Sequence, residues 1–189
     1  MSMDMYRLPQ VLQERVMREL QPGEVVIWVG QPDPRRLMLG GFALWIFFIP
    51  WTAFSVFWIA GASGFKVPDF SQPFEFFPLF GLPFFLIGVG GLSSPFWIYL
   101  KARHMVYVIT SKRALAMTGG RSITVESWSS SQLEKIVRTE RPDGSGDLVF
   151  ATEVWRDSDG DRRTRQKGFM GIADVRMVEA HLQRLAATR

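Results

Sequence analysis

The sequence predicts an α+β membrane protein: a two-helix transmembrane hairpin joined to a small antiparallel β-barrel or sandwich that a C-terminal helix caps. Three observations carry this. Two long apolar stretches, Leu37–Gly61 and Pro78–Leu100, contain no ionisable residue, and about 20 apolar residues in a helix cross the hydrocarbon core of a bilayer. The tail beyond Lys101 breaks into short β-favouring runs separated by turn residues. From Asp174 onward, Val175, Val178, Leu182 and Leu185 recur at helical spacing.

Residues 1–36 form a polar N-terminal arm. Leu12, Val16 and Leu20 recur every four residues, which predicts an amphipathic helix over Pro9–Gln21, with Pro9 suited to its first turn and Pro22-Gly23 to its stop. Glu24–Gly30, rich in β-branched residues and Trp28, predicts a strand. The N-terminus, Met1–Gln10, lacks a basic region followed by an apolar run, and the first apolar run begins only at Leu37, so that stretch is expected to be a retained anchor and not a cleaved signal.

Residues 37–100 are expected to cross the membrane twice, with spans at about 37–61 and 78–100 and a connecting loop at 62–77. They hold only three charges, Lys66, Asp69 and Glu75. Arg35 and Arg36 precede the first span; Lys101 and Arg103 follow the second. The positive-inside rule then puts both flanks in the cytoplasm and the loop on the far side. These four cations are the expected contacts to lipid head groups, each contributing on the order of 1 kcal/mol at an anionic surface. The loop region is rich in phenylalanine: Phe65, Phe70, Phe74, Phe76, Phe77 and Phe80. Such rings either rest in the interface or form a docking surface for another membrane protein. Pro50 is placed to kink the first span, and Gly88, Gly90 and Gly91 to let the helices approach closely.

Residues 101–189 hold 16 Lys/Arg and 11 Asp/Glu, a net of +5. Strands are predicted at His104–Ser111, Arg113–Thr118, Ser122–Trp128, Leu133–Glu140, Asp147–Trp155 and Arg165–Ile172. Pro142–Gly146 and Asp157–Arg163 are turns between them. A helix over 174–187 follows, with Asp174 as its N-cap.

This order resembles a family, the bacterial membrane proteins with a PH-like domain. The resemblance rests on Gly23-Glu24 with Val26 and Trp28 ahead of the hairpin, on Tyr107, Ile109, Thr110 and Arg113 after it, and on Phe169, Gly171 and Ile172 before the last helix. It implies a seven-stranded, strongly bent PH-like barrel capped by the C-terminal helix; Glu24–Gly30, ahead of the spans, is the candidate for the seventh strand. It implies a bacterial inner (cytoplasmic) membrane protein; the basic flanks of the two spans put both termini in the cytoplasm. It implies no catalytic activity.

No constellation for chemistry stands out. His104 and His181 are the two histidines, and neither has a second ligand at metal spacing. Cysteine is absent, which removes disulfides and thiolate sites. Gly144-Ser145-Gly146-Asp147 spells an intramembrane protease motif but lies in a polar turn. Asp157–Asp161 begins like a calcium loop but lacks its Gly and Glu at positions six and twelve. No cofactor is expected. The basic cluster Arg162, Arg163, Arg165 and Lys167 is a candidate patch for anionic lipid, balanced by Asp157, Asp159 and Asp161 beside it. The surplus is too small, and lacks a reader motif, for nucleic acid. The expectation is a non-enzymatic inner-membrane scaffold or interaction protein, self-associating or bound to a protein partner. One alternative is an accessory subunit of a larger membrane complex; another is an anionic-lipid-binding regulator.

Overall fold

A computed structural model describes Met5, Tyr6 and residues 8–65, 77–120, 122–133 and 135–188. It is α+β and divides into two compact units. One combines Met1–Leu37 with Leu100–Arg189, so the N-terminal arm and the tail fold together; the other is Met38–Tyr99.

The first unit contains two antiparallel sheets. Sheet one runs in the order β1 (Val26–Gly30), β2 (Met105–Thr110), β3 (Arg113–Thr118), β4 (Thr124–Ser129). Sheet two is β5 (Val137–Glu140), β6 (Gly146–Arg156), β7 (Arg162–Ile172). The sheets do not close into one barrel. Strand β1 is separated from β2 by the whole apolar stretch, yet the two pair from Val26↔Thr110 to Gly30↔Tyr107.

Alternation along these strands builds two cores. Trp28, Tyr107, Ile109, Ala114 and Ala116 face the second sheet, where Leu148, Phe150 and Phe169 meet them. Val106, Val108, Leu115 and Met117 face the other way, against Leu12 and Val16 of helix α1 (Gln10–Glu19). A side-chain period of two puts neighbours on opposite faces, so Val106–Ile109 of β2 and Ala114–Met117 of β3 are apolar without interruption because both faces are covered. In β1 a bulge between Val26 and Trp28 resets that period. It lets Val26 and Val29 face α1 while Trp28 turns inward.

The last helix of the chain, Val175–Ala187, closes the inner core with Val175, Val178, Leu182 and Leu185. Its N-cap is Asp174, whose carboxylate accepts the Met177 N–H at 3.4 Å. Strand β5 is shorter than the sequence suggests: Ser129–Gln132 form a capping box and a 3₁₀ turn, and Leu133 drops into the core ahead of it. Strand β7 is longer, starting at Arg162, so the intervening turn contracts to Asp157–Asp161.

The second unit is helical. The first apolar stretch forms α2 (Pro34–Gly40), which begins in the first unit, and α3 (Phe42–Ala62), with a break at Gly41. Helix α3 is continuous through Pro50, whose missing N–H leaves the Ile46 carbonyl without its helical donor. The second stretch is a 3₁₀ turn at Phe77–Gly81, then α4 (Leu82–Leu92) and α5 (Ser94–Ala102); the last helix of the chain is therefore α6. Phe42–Ala62 and Phe77–Ala102 are each long and apolar enough to cross a membrane.

Helices α3 and α4 pack antiparallel through glycines. A Cβ on Gly88 would stand 2.2 Å from Thr52 Oγ1, one on Gly91 2.3 Å from the Phe48 ring, and one on Gly81 2.4 Å from Ile59. Gly90 meets nothing within 4 Å, so its expected part in the approach is not seen. The indole N–H groups of Trp45 and Trp51 donate to the carbonyls of Leu92 (2.9 Å) and Phe84 (3.0 Å).

Candidate interaction site

The motif residues that carry the family resemblance converge on structure. Glu24 leaves the chain just before β1, and Thr110 and Arg113 flank the β2–β3 turn. The Arg113 guanidinium grips both oxygens of the Glu24 carboxylate, at 2.9 and 3.2 Å, and also donates to the Glu19 carbonyl at 2.8 Å. Thr110 donates to Glu24 at 2.7 Å, and the Gln21 N–H does so at the same distance. Burial raises the Glu24 carboxyl, but the donors from Arg113, Gln21 and Thr110 outweigh it and hold its pKa below the usual value. The ring of Tyr107 stacks on Phe169 at 4.6 Å, and its hydroxyl accepts the Met170 N–H at 3.2 Å. Burial pushes this phenol up to about 12. A bidentate arginine–carboxylate clamp and a stacked pair of rings are ways to lock strands together.

The expected head-group contacts differ from one another. Arg36 is tied to Asp33 at 2.9 Å and to Asp143 at 2.8 Å, and these carboxylates, Asp33 first, raise its pKa. Arg35, Lys101 and Arg103 are exposed and make no ion pair among the described residues. Arg103 lines a cleft of about 810 Å³ with His104 and Arg15, floored by Pro9, Leu12 and Pro32. Of the phenylalanine cluster, Phe65, Phe77 and Phe80 are exposed; Phe70, Phe74 and Phe76 lie outside the described residues.

The basic cluster lies on β7 and is not uniform. The Lys167 ammonium is buried between Glu126 of β4 and Glu153 of β6, so it joins the two sheets. Arg163 pairs with Asp157 at 3.1 Å. Arg162 and Arg165 are exposed and make no ion pair among the described residues.

Beside Lys167 a groove of about 840 Å³ opens between β4 and the β5–β6 strands. Glu126, Trp128, Lys135, Val137, Thr139 and Thr152 are among its walls. Strands β4 and β5 are the end strands of their sheets, so their outer backbone groups are free to pair with an added strand. Nothing in the sequence pointed to this groove, because it is the gap between two sheets and belongs to no local motif. The Glu24–Arg113 pair was present in the sequence only as two distant letters. The two short turns are structural: Gly144, at φ 77°, turns the β5–β6 hairpin, and Asp157 accepts from Ser158, Asp159 and Arg163 to shape the β6–β7 tip. Among the described residues no group of three His, Cys, Asp or Glu gathers as a metal site.

No protein-family model, curated protein or solved structure matches this chain.

Proposed function

We propose that this protein is a non-enzymatic interaction protein of a bacterial inner membrane, anchored by the apolar hairpin and presenting a cytoplasmic PH-like domain. The observation that carries the reading is the pairing of β1 with β2 across the hairpin. Hydrogen-bonded strands share one compartment, so the pairing supports residues 26–30 and 105–110 on one side of the bilayer, with an even number of crossings between them. The apolar helices support the membrane: 6% and 17% of their most apolar windows are buried, and Ile46, Phe54 and Phe57 face outward. A helix apolar all round that is not packed in protein needs lipid. Seven strands in a four-plus-three arrangement with a C-terminal helix over the core support the PH-like reading. The groove with two free strand edges is the feature suited to a protein ligand.

A reporter fused after Arg189 is expected to be active in the cytoplasm; activity only outside would remove the reading. A photo-crosslinker at Thr139 in the groove is expected to capture a protein, and a crosslinker at Ser122 is not. One observation favours a second reading, an accessory subunit. Trp51, Phe54, Trp58, Phe80 and Phe84 line an apolar hollow of about 250 Å³ on the hairpin, fit for a helix of a larger complex. Stoichiometric co-purification with such a complex in mild detergent selects it.

A further inference from the structure

The β6–β7 hairpin outruns its sheet. Strand β5 pairs only with residues 146–149 of β6, and the remainder, 151–156 against 162–167, is a two-stranded ribbon. From residue 152 to 166 every residue but Asp157 is exposed on both faces. A lone two-stranded ribbon is marginal in water, and this one also exposes Val154 and Trp155, the latter at 46%.

Its charges are arranged with a symmetry. Trp155 stands directly opposite Arg163, and Glu153 opposite Arg165. Alternation puts Glu153, Trp155, Arg163, Arg165 and the paired Lys167 on one face; Asp161 ends the turn directly before β7, its carbonyl accepting the Asp157 N–H at 2.9 Å. Two of the face's charges are satisfied internally: Arg163 by Asp157 at 3.1 Å, and Glu153 by Lys167 at 3.4 Å. Asp161 and Arg165 make no ion pair among the described residues. In sequence they stand two residues on either side of Arg163, one anion at the turn and one cation on the strand.

We propose that this arm docks on the same arm of a second copy about a two-fold axis at Trp155, with Asp161 of each copy meeting Arg165 of the other. A two-fold contact is self-complementary, so residue i meets j and j meets i; Asp161 and Arg165 are spaced for that exchange. Arg163, which lies at the axis, is already neutralised by Asp157, so two like charges do not face each other there. An anionic membrane fits less well, because Asp157, Asp159 and Asp161 crowd the tip that would approach it. A wholly acidic or wholly basic partner satisfies one end of the face and opposes the other. The ribbon is small beside a standard interface of about 800 Å² per partner, so the pairing is weak in dilute solution. Confinement of both copies to one membrane raises their effective concentration.

The proposal rests on the reading of this unit as a membrane-anchored interaction module and names its partner. The chain has no cysteine, so one introduced thiol reports one position. In the full-length protein in its membrane, Trp155→Cys is expected to form a disulfide dimer on mild oxidation, and Thr164→Cys, on the opposite face, is not. In the Trp155→Cys background, Asp161→Arg or Arg165→Asp should cut the yield about tenfold by replacing attraction with repulsion. The two changes together should restore it to within about twofold. All these positions are exposed, and an unchanged far-ultraviolet circular dichroism spectrum verifies the fold of each variant. Equal yields at 155 and 164, single reversals without effect, or a double reversal that does not rescue would each overturn the proposal. If the protein is monomeric but still crosslinks to a different protein through Thr139, the second copy is removed and the interaction module stands.

Discussion

Strands β2 and β7 belong to the same unit and are treated very differently by it. Strand β2 is sealed on both faces, by the second sheet and α6 on one side and by α1 on the other. Strand β7 is sealed from Lys167 to Ile172 and bare from Arg162 to Gln166. The residue types follow the covering. Every residue of the bare half is cationic or polar, whereas β2 reads Met-Val-Tyr-Val-Ile-Thr without a charge. A strand buried on both faces must be apolar throughout, and a ribbon in water must carry charge to stay apart from other edges. The packing of this unit is therefore concentrated around β2, and its exposed strand surface lies in the arm and the groove beside it.

Substitutions can break or sharpen that contrast. The largest loss is expected from Phe169→Ala, on the sealed half of β7, because Phe169 packs on Tyr107, Trp28 and Phe150. About 3–5 kcal/mol is expected, as for other buried phenylalanines, read as a drop in the thermal or urea midpoint of the purified protein. Arg113→Ala should cost about 3 kcal/mol by leaving the Glu24 carboxylate buried and unpaired. Its signature is in pH. The folded Glu24 pKa is depressed below its ordinary 4.5, so its contribution is present above that value and is lost as pH falls through the folded pKa. Arg113→Ala should remove this acid-sensitive part of the stability profile; an unchanged acid limb would contradict the role given to the pair.

Tyr107→Phe should cost about 1–2 kcal/mol by stranding the Met170 N–H. The sign at high pH is opposite to that of Glu24. The folded phenol titrates near 12, above its ordinary 10.0, so its stabilising contribution is complete below pH 10.0 and is lost as pH rises towards 12. An ultraviolet titration of the three tyrosines should show one that resists ionisation until near 12, and Tyr107→Phe should delete it. The smallest effect belongs to the arm: Thr164→Ala should stay within about 0.5 kcal/mol. A large loss there would mean that the arm is part of the folding core, and the contrast with β2 would fail.

Much of the fold was legible in the sequence. The charge-free stretches, the period-two runs and the Val175–Leu185 seam each obey a local rule, and the structure has elements in all of those places. Boundaries moved where a local rule met a tertiary one. Leu133 was drawn out of the predicted strand by the core, and Arg162–Arg165, predicted as a turn running into a strand, became strand because β6 offered a partner. The candidate sites were less legible. Four cations in six residues read as one patch from 162 to 167, but Lys167 is consumed by Glu126 and Glu153 and Arg163 by Asp157. Pairing depends on what lies opposite, and that lies 41 residues away for Glu126.

By itself the sequence determined where apolar surface and charge lie along the chain, and with them two helices long and apolar enough to cross a membrane and strands with a buried face. These follow from local composition and period, because the hydrophobic effect acts on each segment wherever it ends up. Only the tertiary structure decided that β1 pairs with β2 across the hairpin, that Glu24 and Arg113 meet, and that the gap between the sheets stays open. Each of these joins segments far apart in sequence, and such contacts are selected by the collective packing of the whole unit and not by any one segment's preference.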